Sequence, residues 1–544
     1  MKNWVLGCFA VALFGAGCGD GAPKSETASA TTPAISKLLK LNLGNEPKTF
    51  DPTLMTDVVG GITMQGLMEG LVEVNAEGKE QPRAAESWSH DEKSMTWTFK
   101  LRPGMKWQNG DPVTANDFVF ATERMCTPAT GAEYASYTYN FLKGGKDYYK
   151  AGGMKDGAHF DGIKAVDDLT LEYNMQNPTP YFISVLQLAS WLPLNKNTLT
   201  KYGSNWANSE KTFNGNGPFK LTAFKSKDVI ILDKSDSYWD RDSIFWDRVQ
   251  LYMIESENTE VDAFRTGALD VTIGLAIPML DEWRNKPEFH NFKFFGTQYI
   301  GFNNAIEPFK DSRVKIAFSK AIDRKRLVDK VTRRSETIAL GIIPEPLASP
   351  QGDDYRDHAG NPGYDFDPAG AKALLKEAGY GPDNPFPSVE YLYDSSDENK
   401  TVAEQLQAMW HETLGVDVKL QNVEWGVKLS RTPKGDFQIA RLNWYGDYVD
   451  PMTFMELYES SSTQNSPQYR NPKYDELVEN ARMETDPVQR EKDFIAAEKI
   501  LIHDDCAIAP LYYIQRPMLI REGIEGIERV PTGGLLYVRA KRTK

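Results

Sequence analysis

Residues 389–423 constrain the fold more tightly than any other part of the chain, because they predict a strand, a helix and a second strand in immediate succession. Apolar side chains recur at helical spacing from Val402 to Leu414, and Gly415 follows where a helix would end. Alternating apolar residues begin at Val389 before this helix and at Val416 after it. Two strands joined by a crossover helix pair in parallel, so the sequence predicts an α/β fold.

The remainder of the chain alternates between strand and helix patterns in the same way. Residues 94–101 and 168–175 alternate apolar and polar side chains, which is typical of half-buried strands. Asp367 is positioned to cap a helix with Pro368 at its first position, and Gly379 is positioned to end that helix. The predicted fold class is therefore α/β over the whole folded body.

The N-terminal residues 1–18 have the pattern of an export signal. Lys2 gives a positive start, and residues 4–14 form an apolar stretch too short to cross a bilayer. Small residues then lead to Cys18, as in a bacterial lipoprotein signal in which this cysteine is lipidated; an ordinary secretory signal is the alternative. Residues 19–37 are rich in Ala, Ser, Thr and Pro and predict a flexible tether.

Composition limits the partners that such a chain can have. Its 544 residues are enough for two or three packed regions, and its mean hydropathy is −0.49. The net charge of −14 argues against nucleic acid and against broad contact with anionic lipid headgroups. In the predicted folded body the cysteines are Cys126 and Cys506; export permits a disulfide between them, and two buried free thiols fit the sequence at least as well.

Residue types used in catalysis and metal binding do not form a convincing constellation. None of the six histidines lies in an HExxH spacing, and neither a GxSxG nor a GxxxxGK[ST] motif is present. The cluster from His503 to Cys506 is better explained as the end of a helix than as a metal site. We therefore expect no enzymatic activity, no metal and no cofactor.

Several short stretches match one known family in the same order. They are residues 46–52, 66–71, 84–88, 97–102, 106–118, 177–182, 214–219 and 444–451. Most of them supply turn-forming Pro and Gly or core-filling Trp and Phe, so they identify the family without marking its site. In this order they resemble the oligopeptide-binding proteins of bacterial ABC importers, which belong to family 5 of the extracellular solute-binding proteins.

The resemblance extends from about residue 38 to residue 542 and implies a two-lobed periplasmic-binding-protein fold of the large cluster C type. By position, lobe I would comprise residues 38–70, 196–295 and 515–544, with an extra domain formed by residues 71–195. Lobe II would comprise residues 296–514. The chain would cross twice between the lobes, and the ligand would lie in the cleft between them.

The resemblance also implies which residues bind the charged ends of a peptide. Asp447 matches the family acid that pairs with the α-ammonium, because a carboxylate in a closed cleft is stabilised by an arriving cation. A capping or turn role is the alternative, since Asp450 and Pro451 follow. Arg441 lies on a predicted strand and shares a face with Tyr445, where it would bind either a ligand carboxylate or a structural acid.

Four aromatic positions match family residues near the ligand. Trp444 and Trp425 match aromatic residues that line side-chain pockets. Tyr134 matches a tyrosine that reaches into the cleft, and Tyr299 is a similar candidate. Core packing is the alternative role for each of these rings.

Three further positions bear on how a peptide would be held. The stretch from Thr56 to Val58 matches a segment whose main chain pairs with an extended peptide, a mode of binding that is independent of side chains. Asn399 stands where some members have a histidine that helps to hold the ligand carboxylate. Tyr445 stands where some relatives have a cysteine, so a cross-link through that position is absent here.

The function implied by this resemblance is capture of oligopeptides and their delivery to a membrane permease. The permease and its ATPase would be separate chains, and the binding protein would be a monomer in the periplasm or cell envelope, held to a membrane by a lipid on Cys18. The alternatives are the same fold binding another solute, such as nickel, haem or a sugar, and a peptide-signal receptor. An exported peptidase is disfavoured because no catalytic set is found.

Overall fold

The computed structural model describes residues 37–91, 93, 95–155 and 157–543. The predicted signal, Cys18 and the predicted tether up to residue 36 lie outside the described residues. From Lys37 onward the chain forms one compact unit. Within the described residues, no helix combines the length and the apolar character needed to cross a membrane.

Strands and helices alternate along the described chain and are numbered here in chain order. The strands are β1 (Leu38–Asn42), β2 (Val72–Val74), β3 (Glu80–Pro82), β4 (Ala85–Asp91), β5 (Thr96–Leu101), β6 (Ile163–Asp167), β7 (Thr170–Asn174), β8 (Phe219–Lys225), β9 (Val229–Lys234), β10 (Arg248–Tyr252), β11 (Phe289–Phe302), β12 (Thr337–Ile338), β13 (Val389–Asp394), β14 (Val418–Val423), β15 (Ile439–Tyr445), β16 (Ile508–Leu519), β17 (Ile524–Glu525), β18 (Glu528–Arg529), β19 (Leu535–Leu536) and β20 (Lys541–Arg542). The α-helices are α1 (Val58–Leu67), α2 (Ala115–Met125), α3 (Ala135–Phe141), α4 (Gly145–Lys150), α5 (Phe182–Val185), α6 (Lys196–Tyr202), α7 (Glu257–Arg265), α8 (Leu280–Trp283), α9 (Ser312–Lys320), α10 (Arg324–Arg326), α11 (Tyr355–Ala359), α12 (Pro368–Glu377), α13 (Asp397–Leu414), α14 (Trp425–Arg431), α15 (Met452–Met455), α16 (Pro472–Met483) and α17 (Pro487–Lys499).

Three larger sheets organise these elements. One has the strand order β1-β10-β9-β8, the second β4-β5-β7-β6 and the third β12-β16-β11-β15-β13-β14. The first draws its strands from segments predicted as lobe I, and the second from the predicted extra domain. In the third sheet, β11 and β16 extend across the predicted lobe boundaries at residues 295 and 514. The mixed α/β fold class predicted from the sequence is confirmed.

The strand–helix–strand unit at residues 389–423 is also confirmed. β13 and β14 pair in parallel, with Val389 opposite Val418, and α13 connects them. Ser396 caps α13 by accepting a hydrogen bond from the Asn399 amide, and Gly415 ends the helix with a φ of 68°. The Gly415 signal acts within one turn of the helix, which is why the sequence alone locates the C-terminal end, whereas the cap at Ser396 was not predicted.

Two of the sequence motifs fold against each other. The Gln108 amide donates to the Gly215 carbonyl at 2.9 Å, and the Asn109 amide donates to Asn214 Oδ1 at 3.0 Å. The stretches at residues 106–118 and 214–219 thus form one hydrogen-bonded cluster of turns, consistent with a folding role for both.

The same cluster fixes the segment that follows α1. Asn216 Oδ1 accepts from the Glu69 amide at 3.0 Å, and Asn216 Nδ2 donates to the Glu69 carbonyl at 2.9 Å. A Cβ atom at Gly217 would lie 2.5 Å from the backbone nitrogen of Met68, so this position requires glycine. The motif therefore positions the end of a helix that lines the cavity described below.

Both cysteines of the described chain are free thiols. Cys126 and Cys506 are buried, and neither forms a disulfide. Burial raises the pKa of both thiols, that of Cys506 to about 12. Of the two alternatives left by the sequence, the structure contains the buried free thiols.

Candidate functional site

A cavity of about 210 Å³ lies where several separate parts of the chain meet. Its wall includes one face of α1, Tyr134 just before α3, the end of β15 and the C-terminal segment from Val530 to Arg539. The volume is many times the roughly 10–15 Å³ needed to hold one water molecule. It is therefore large enough for an organic ligand or part of one.

Helix α1 supplies an apolar wall and an extended approach to it. Asp57 caps the helix by accepting from the Gly60 amide at 2.7 Å, and Met55 and Asp57 have extended backbone. Thr56 and Val58 both line the cavity, and the Val58 side chain is exposed. The predicted peptide-pairing stretch therefore borders the cavity, with helical geometry beginning at Val58.

Asp447 points into the cavity from the turn that follows β15. The Gly446 amide donates to the Phe295 carbonyl at 2.8 Å, and a Cβ at Gly446 would lie 2.5 Å from the Phe295 ring. Glycine lets the chain pass this ring, and the Asp447 amide then donates to Thr453 Oγ1 at 3.1 Å. These contacts hold the carboxylate at the cavity wall.

The Asp447 carboxylate accepts hydrogen bonds from two tyrosines and forms no ion pair within the described residues. Tyr137 Oη donates to Oδ2 at 3.0 Å, and Tyr134 Oη donates to Oδ1 at 3.5 Å. Burial raises the pKa of Asp447 to about 6, although the two hydroxyl groups oppose this shift. An arriving cation would therefore stabilise the ionised carboxylate.

Tyr137 is a site residue that the sequence reasoning missed. It lies three positions after Tyr134, and the two rings stack with centroids 5.2 Å apart and an interplanar angle of 18°. The Tyr-x-x-Tyr spacing at the start of α3 was the signal that both hydroxyl groups face one way.

Arg441 contacts a structural acid in this structure. Its Nη1 donates to Asp394 Oδ1 at 2.9 Å, and its Nη2 donates to Gln298 Oε1 at 2.8 Å. Lys428 Nζ also donates to Asp394 Oδ1 at 2.9 Å, and Asn399 Nδ2 donates to Asp394 Oδ2 at 2.8 Å. The two predicted residues, Arg441 and Asn399, are thus brought together through an acid that the sequence did not single out.

The charges around Asp394 are unequal. Burial would raise the pKa of Asp394, but Arg441 and Lys428 outweigh burial and hold it below its ordinary value. Burial and the nearby Arg441 lower the pKa of Lys428 to about 8. Two cations share one carboxylate here, so the cluster retains affinity for a second anion.

Tyr445 occupies the cavity wall between these two charged sites. Its ring packs over β11, where a Cβ at Gly296 would lie 2.9 Å from Tyr445 Cδ1. Phe294 meets the ring edge-on with centroids 5.9 Å apart, and Arg516 Nη2 donates to the Tyr445 hydroxyl at 3.0 Å. The glycine on β11 is what allows this tyrosine to reach toward β16.

The remaining aromatic candidates have different surroundings. Trp425 is 47% exposed at the start of α14, with Lys428 Nζ 4.8 Å from its ring centroid. Trp444 is half-buried and donates from Nε1 to Thr453 Oγ1 at 3.3 Å. Tyr299 is buried and packs edge-on against Tyr458, which corresponds to the core role considered for it.

Among the described residues, no group of three or more His, Cys, Asp or Glu side chains could hold a metal ion. His503 Nδ1 donates to the Pro362 carbonyl at 2.9 Å, and its ring stacks on Tyr364. The site is therefore described by its charged and aromatic side chains alone.

The chain matches the family model described as bacterial extracellular solute-binding proteins, family 5 Middle, over residues 79–466. It is similar to the dipeptide-binding protein DppE of Bacillus subtilis, with 34% identity over 539 residues that cover 98% of this chain and 97% of DppE. It is also similar to the periplasmic oligopeptide-binding protein OppA of Escherichia coli, with 32% identity over 517 residues and 93% coverage of each chain.

Two solved structures of similar proteins match nearly the whole chain. The substrate-binding domain of an oligopeptide ABC transporter from Bacillus anthracis superposes with a TM-score of 0.79 at 30% identity, covering 94% of this chain and 99% of that one. Haemophilus influenzae OppA in complex with the peptide RPPGFSPFR superposes with a TM-score of 0.76 at 32% identity and the same coverage.

Proposed function

This chain belongs to the bacterial extracellular solute-binding proteins of family 5, and from that premise we propose that it binds peptides in the cavity beside Asp447. In this role it is the substrate-binding component of an ABC importer and carries out no catalysis. Relatives named for dipeptide and oligopeptide binding, which match nearly the whole chain, support this choice of ligand.

The observation that carries the proposal is the unpaired carboxylate of Asp447. It lies on the cavity wall, accepts hydrogen bonds from two tyrosines and has no cationic partner among the described residues. Leaving a partly buried carboxylate without a cation costs free energy, and the α-ammonium of a peptide would remove that cost. The ammonium end of the ligand is therefore assigned to Asp447.

The carboxylate end is assigned to the cluster around Arg441. Arg441 and Lys428 share the single carboxylate of Asp394, and Asn399 adds an amide to the same group. Asp447 lies six positions after Arg441, so at about 3.3 Å per residue their Cα atoms are at most roughly 20 Å apart. The limit corresponds to an extended peptide of about six residues or fewer.

The sides of the peptide would be bound in two ways. The extended stretch at Thr56 supports backbone pairing, which gives affinity for many sequences. The rings of Trp425 and Trp444 would contact ligand side chains, and the exposed part of Trp425 is open to such a contact.

The larger assembly follows from the same proposal. Lobe I would comprise residues 38–70, 196–295 and 515–544, the extra domain residues 71–195 and lobe II residues 296–514, with closure of the lobes around the peptide. The protein would act as a monomer at the cell envelope, anchored by a lipid on Cys18, and would deliver peptide to a permease driven by separate ATPase chains.

The first test is native mass spectrometry of the purified protein before and after denaturation and refolding. We expect released peptides within a narrow length range. A released sugar, haem or metal would instead assign another ligand to the same fold.

The second test asks whether Asp447 recognises an ammonium group. Calorimetry would compare trialanine with N-acetyl-trialanine, and we expect acetylation to weaken binding at least thirtyfold, because it leaves the buried carboxylate unpaired. In Asp447→Asn this difference should shrink to a few fold. Asp236→Asn is the matched control, because the Asp236 side chain is 80% exposed on the surface. Equal binding of both peptides to the unmodified protein would overturn the assignment.

A further inference from the structure

Tyr445, on the cavity wall, and Arg516, on β16, bring two hydrogen-bond donors together. Tyr445 accepts from Arg516 Nη2 at 3.0 Å, so its own hydroxyl hydrogen remains available to donate. Within the described residues, no acceptor lies within hydrogen-bond distance of that hydroxyl hydrogen. Tyr445 lines the same cavity as Asp447, which follows it by two positions in the chain.

The Arg516 guanidinium has no carboxylate partner. No Asp or Glu oxygen in the described part of the chain lies within ion-pair distance of it, although Glu398 and Glu257 act on it from further away. Glu398 itself forms an ion pair with Arg334 at 2.6 Å. Arg516 is therefore a part-buried cation that is hydrogen-bonded to a neutral hydroxyl, an arrangement that a bound anion would stabilise.

The neighbouring charges strengthen the local positive potential. Arg516 lowers the pKa of Arg529, adding to the effect of burial, so these two guanidinium groups lie close enough to repel. Arg529 also lies over the ring of Phe294, which packs against Tyr445. An anion held by Tyr445 and Arg516 would relieve this repulsion as well as pair with Arg516.

The site is distinct from the two that bind the ends of a peptide. Asp394 pairs with Arg441 and Lys428. On β15, Arg441 lies four positions before Tyr445, so the two Cα atoms are roughly 13 Å apart. Asp447 lies immediately beyond the C-terminal end of β15. Tyr445 therefore lines the part of the cavity nearer to the proposed ammonium end of the ligand, with Arg516 hydrogen-bonded to its hydroxyl.

We propose that Tyr445 and Arg516 form a second anion site, which selects peptides with an aspartate or glutamate side chain at the first or second position. This inference rests on the proposed peptide-binding function and adds a preference to it. The carboxylate would accept the Tyr445 hydroxyl hydrogen and a guanidinium hydrogen of Arg516, both as charge-assisted hydrogen bonds. A glutamine of the same shape would lack the charge.

The test uses pairs of isosteric peptides, Ala-Glu-Ala against Ala-Gln-Ala and Glu-Ala-Ala against Gln-Ala-Ala, measured by calorimetry at pH 7. We expect the glutamate peptide of at least one pair to bind about tenfold or more tightly than its glutamine counterpart. Raising the salt concentration should weaken this preference only in part, since both side chains of the site are part-buried.

Variants then assign the preference to these residues. Arg516→Gln should reduce the glutamate-to-glutamine affinity ratio to about one, and Arg516→Lys should keep part of it through the retained charge. Tyr445→Phe should reduce the ratio severalfold by removing the hydroxyl donor. Arg313→Gln is the matched control, because the Arg313 side chain is exposed and pairs with Asp311 away from the cavity, and it should leave the ratio unchanged.

The outcomes separate this inference from the function on which it rests. If neutral and acidic peptides bind the unmodified protein equally well, the second anion site is wrong while peptide binding stands. If no peptide of either kind binds, both proposals fail. A ratio that persists in Arg516→Gln would also overturn the assignment, and the measurement on the unmodified protein holds even if that variant does not fold.

Discussion

Asp447 illustrates how a single side chain can be stabilised by its ligand at the expense of the free protein. Its pKa of about 6 reflects burial without a cation, so ionisation of this group opposes folding as pH rises from its ordinary pKa of 3.8 toward 6. Binding of an ammonium group reverses that balance, because only the ionised form attracts the ligand. Ligand binding and proton release from Asp447 are therefore linked.

This linkage predicts the pH dependence of binding. The affinity for trialanine should fall about tenfold between pH 7 and pH 5, since most Asp447 carboxyl groups are protonated at pH 5. The peptide's own ammonium and carboxylate remain charged over this range. Calorimetry across the pH series checks the prediction. The same fall should persist in Glu456→Gln, which removes the neighbouring acid whose pKa is about 7; a flat profile would contradict it.

A second prediction concerns the cluster around Asp394. Asp394→Asn should lower the free energy of unfolding by about 3–5 kcal/mol, because it leaves Arg441 and Lys428 buried without a carboxylate. Lys428→Met should cost about 1 kcal/mol or less, since the Arg441–Asp394 pair survives and the apolar stem keeps its packing. Urea unfolding of the two variants provides the comparison. Equal losses in both would argue against a shared carboxylate.

At the scale of elements, the motif at residues 214–219 acts on the cavity through α1. Gly217→Ala should lower the free energy of unfolding by about 1–3 kcal/mol, because the new Cβ would collide with the backbone at Met68. Gly381→Ala is the matched control: a Cβ there meets no atom within 4 Å, so its effect should stay within about 0.5 kcal/mol. Denaturant unfolding measures both, and a neutral Gly217→Ala would show that the backbone can move.

The sequence located elements better than it located contacts between them. The start of α12 and the end of α13 were predicted because Asp367 and Gly415 act on backbone groups within a few residues. The contact of Tyr445 with Arg516 was not predictable in this way. It joins residues 71 positions apart and depends on β11 lying between β15 and β16, an order that local patterns do not encode.

For the same reason, only part of the candidate site could be predicted from the sequence. Asp447 and Arg441 were found through motif resemblance, but Asp394 and Lys428 carry no motif of their own. They meet Arg441 only because β13 pairs in parallel with β15 and α14 follows β14. Tyr299, in contrast, has the residue type of a ligand contact but faces the core.

At the scale of the whole molecule, the cavity is formed by chain segments far apart in sequence. Thr56, Tyr134, Asp447 and Thr532 all line it. A ligand that touches all of them links their local stabilities, because each segment is held more firmly when the others are in place.

This arrangement predicts a distinctive pattern of hydrogen exchange. Adding peptide at about a hundredfold excess over its Kd should slow exchange together at residues 55–58, 134–137, 445–447 and 530–534. Helix α12 lies outside the cavity wall and should exchange at an unchanged rate. Hydrogen-exchange mass spectrometry with and without trialanine measures this, and protection confined to one of the four segments would contradict a ligand that joins them.

The two buried thiols have a practical consequence for following such motions. Cys126 and Cys506 are enclosed and have raised pKa values, so at neutral pH they present almost no thiolate to a maleimide reagent. In a chain beginning at Lys37, cysteines introduced on opposite sides of the cavity would be the reactive positions for a donor and an acceptor dye. Single-molecule energy transfer could then time opening and closing without removing any native cysteine.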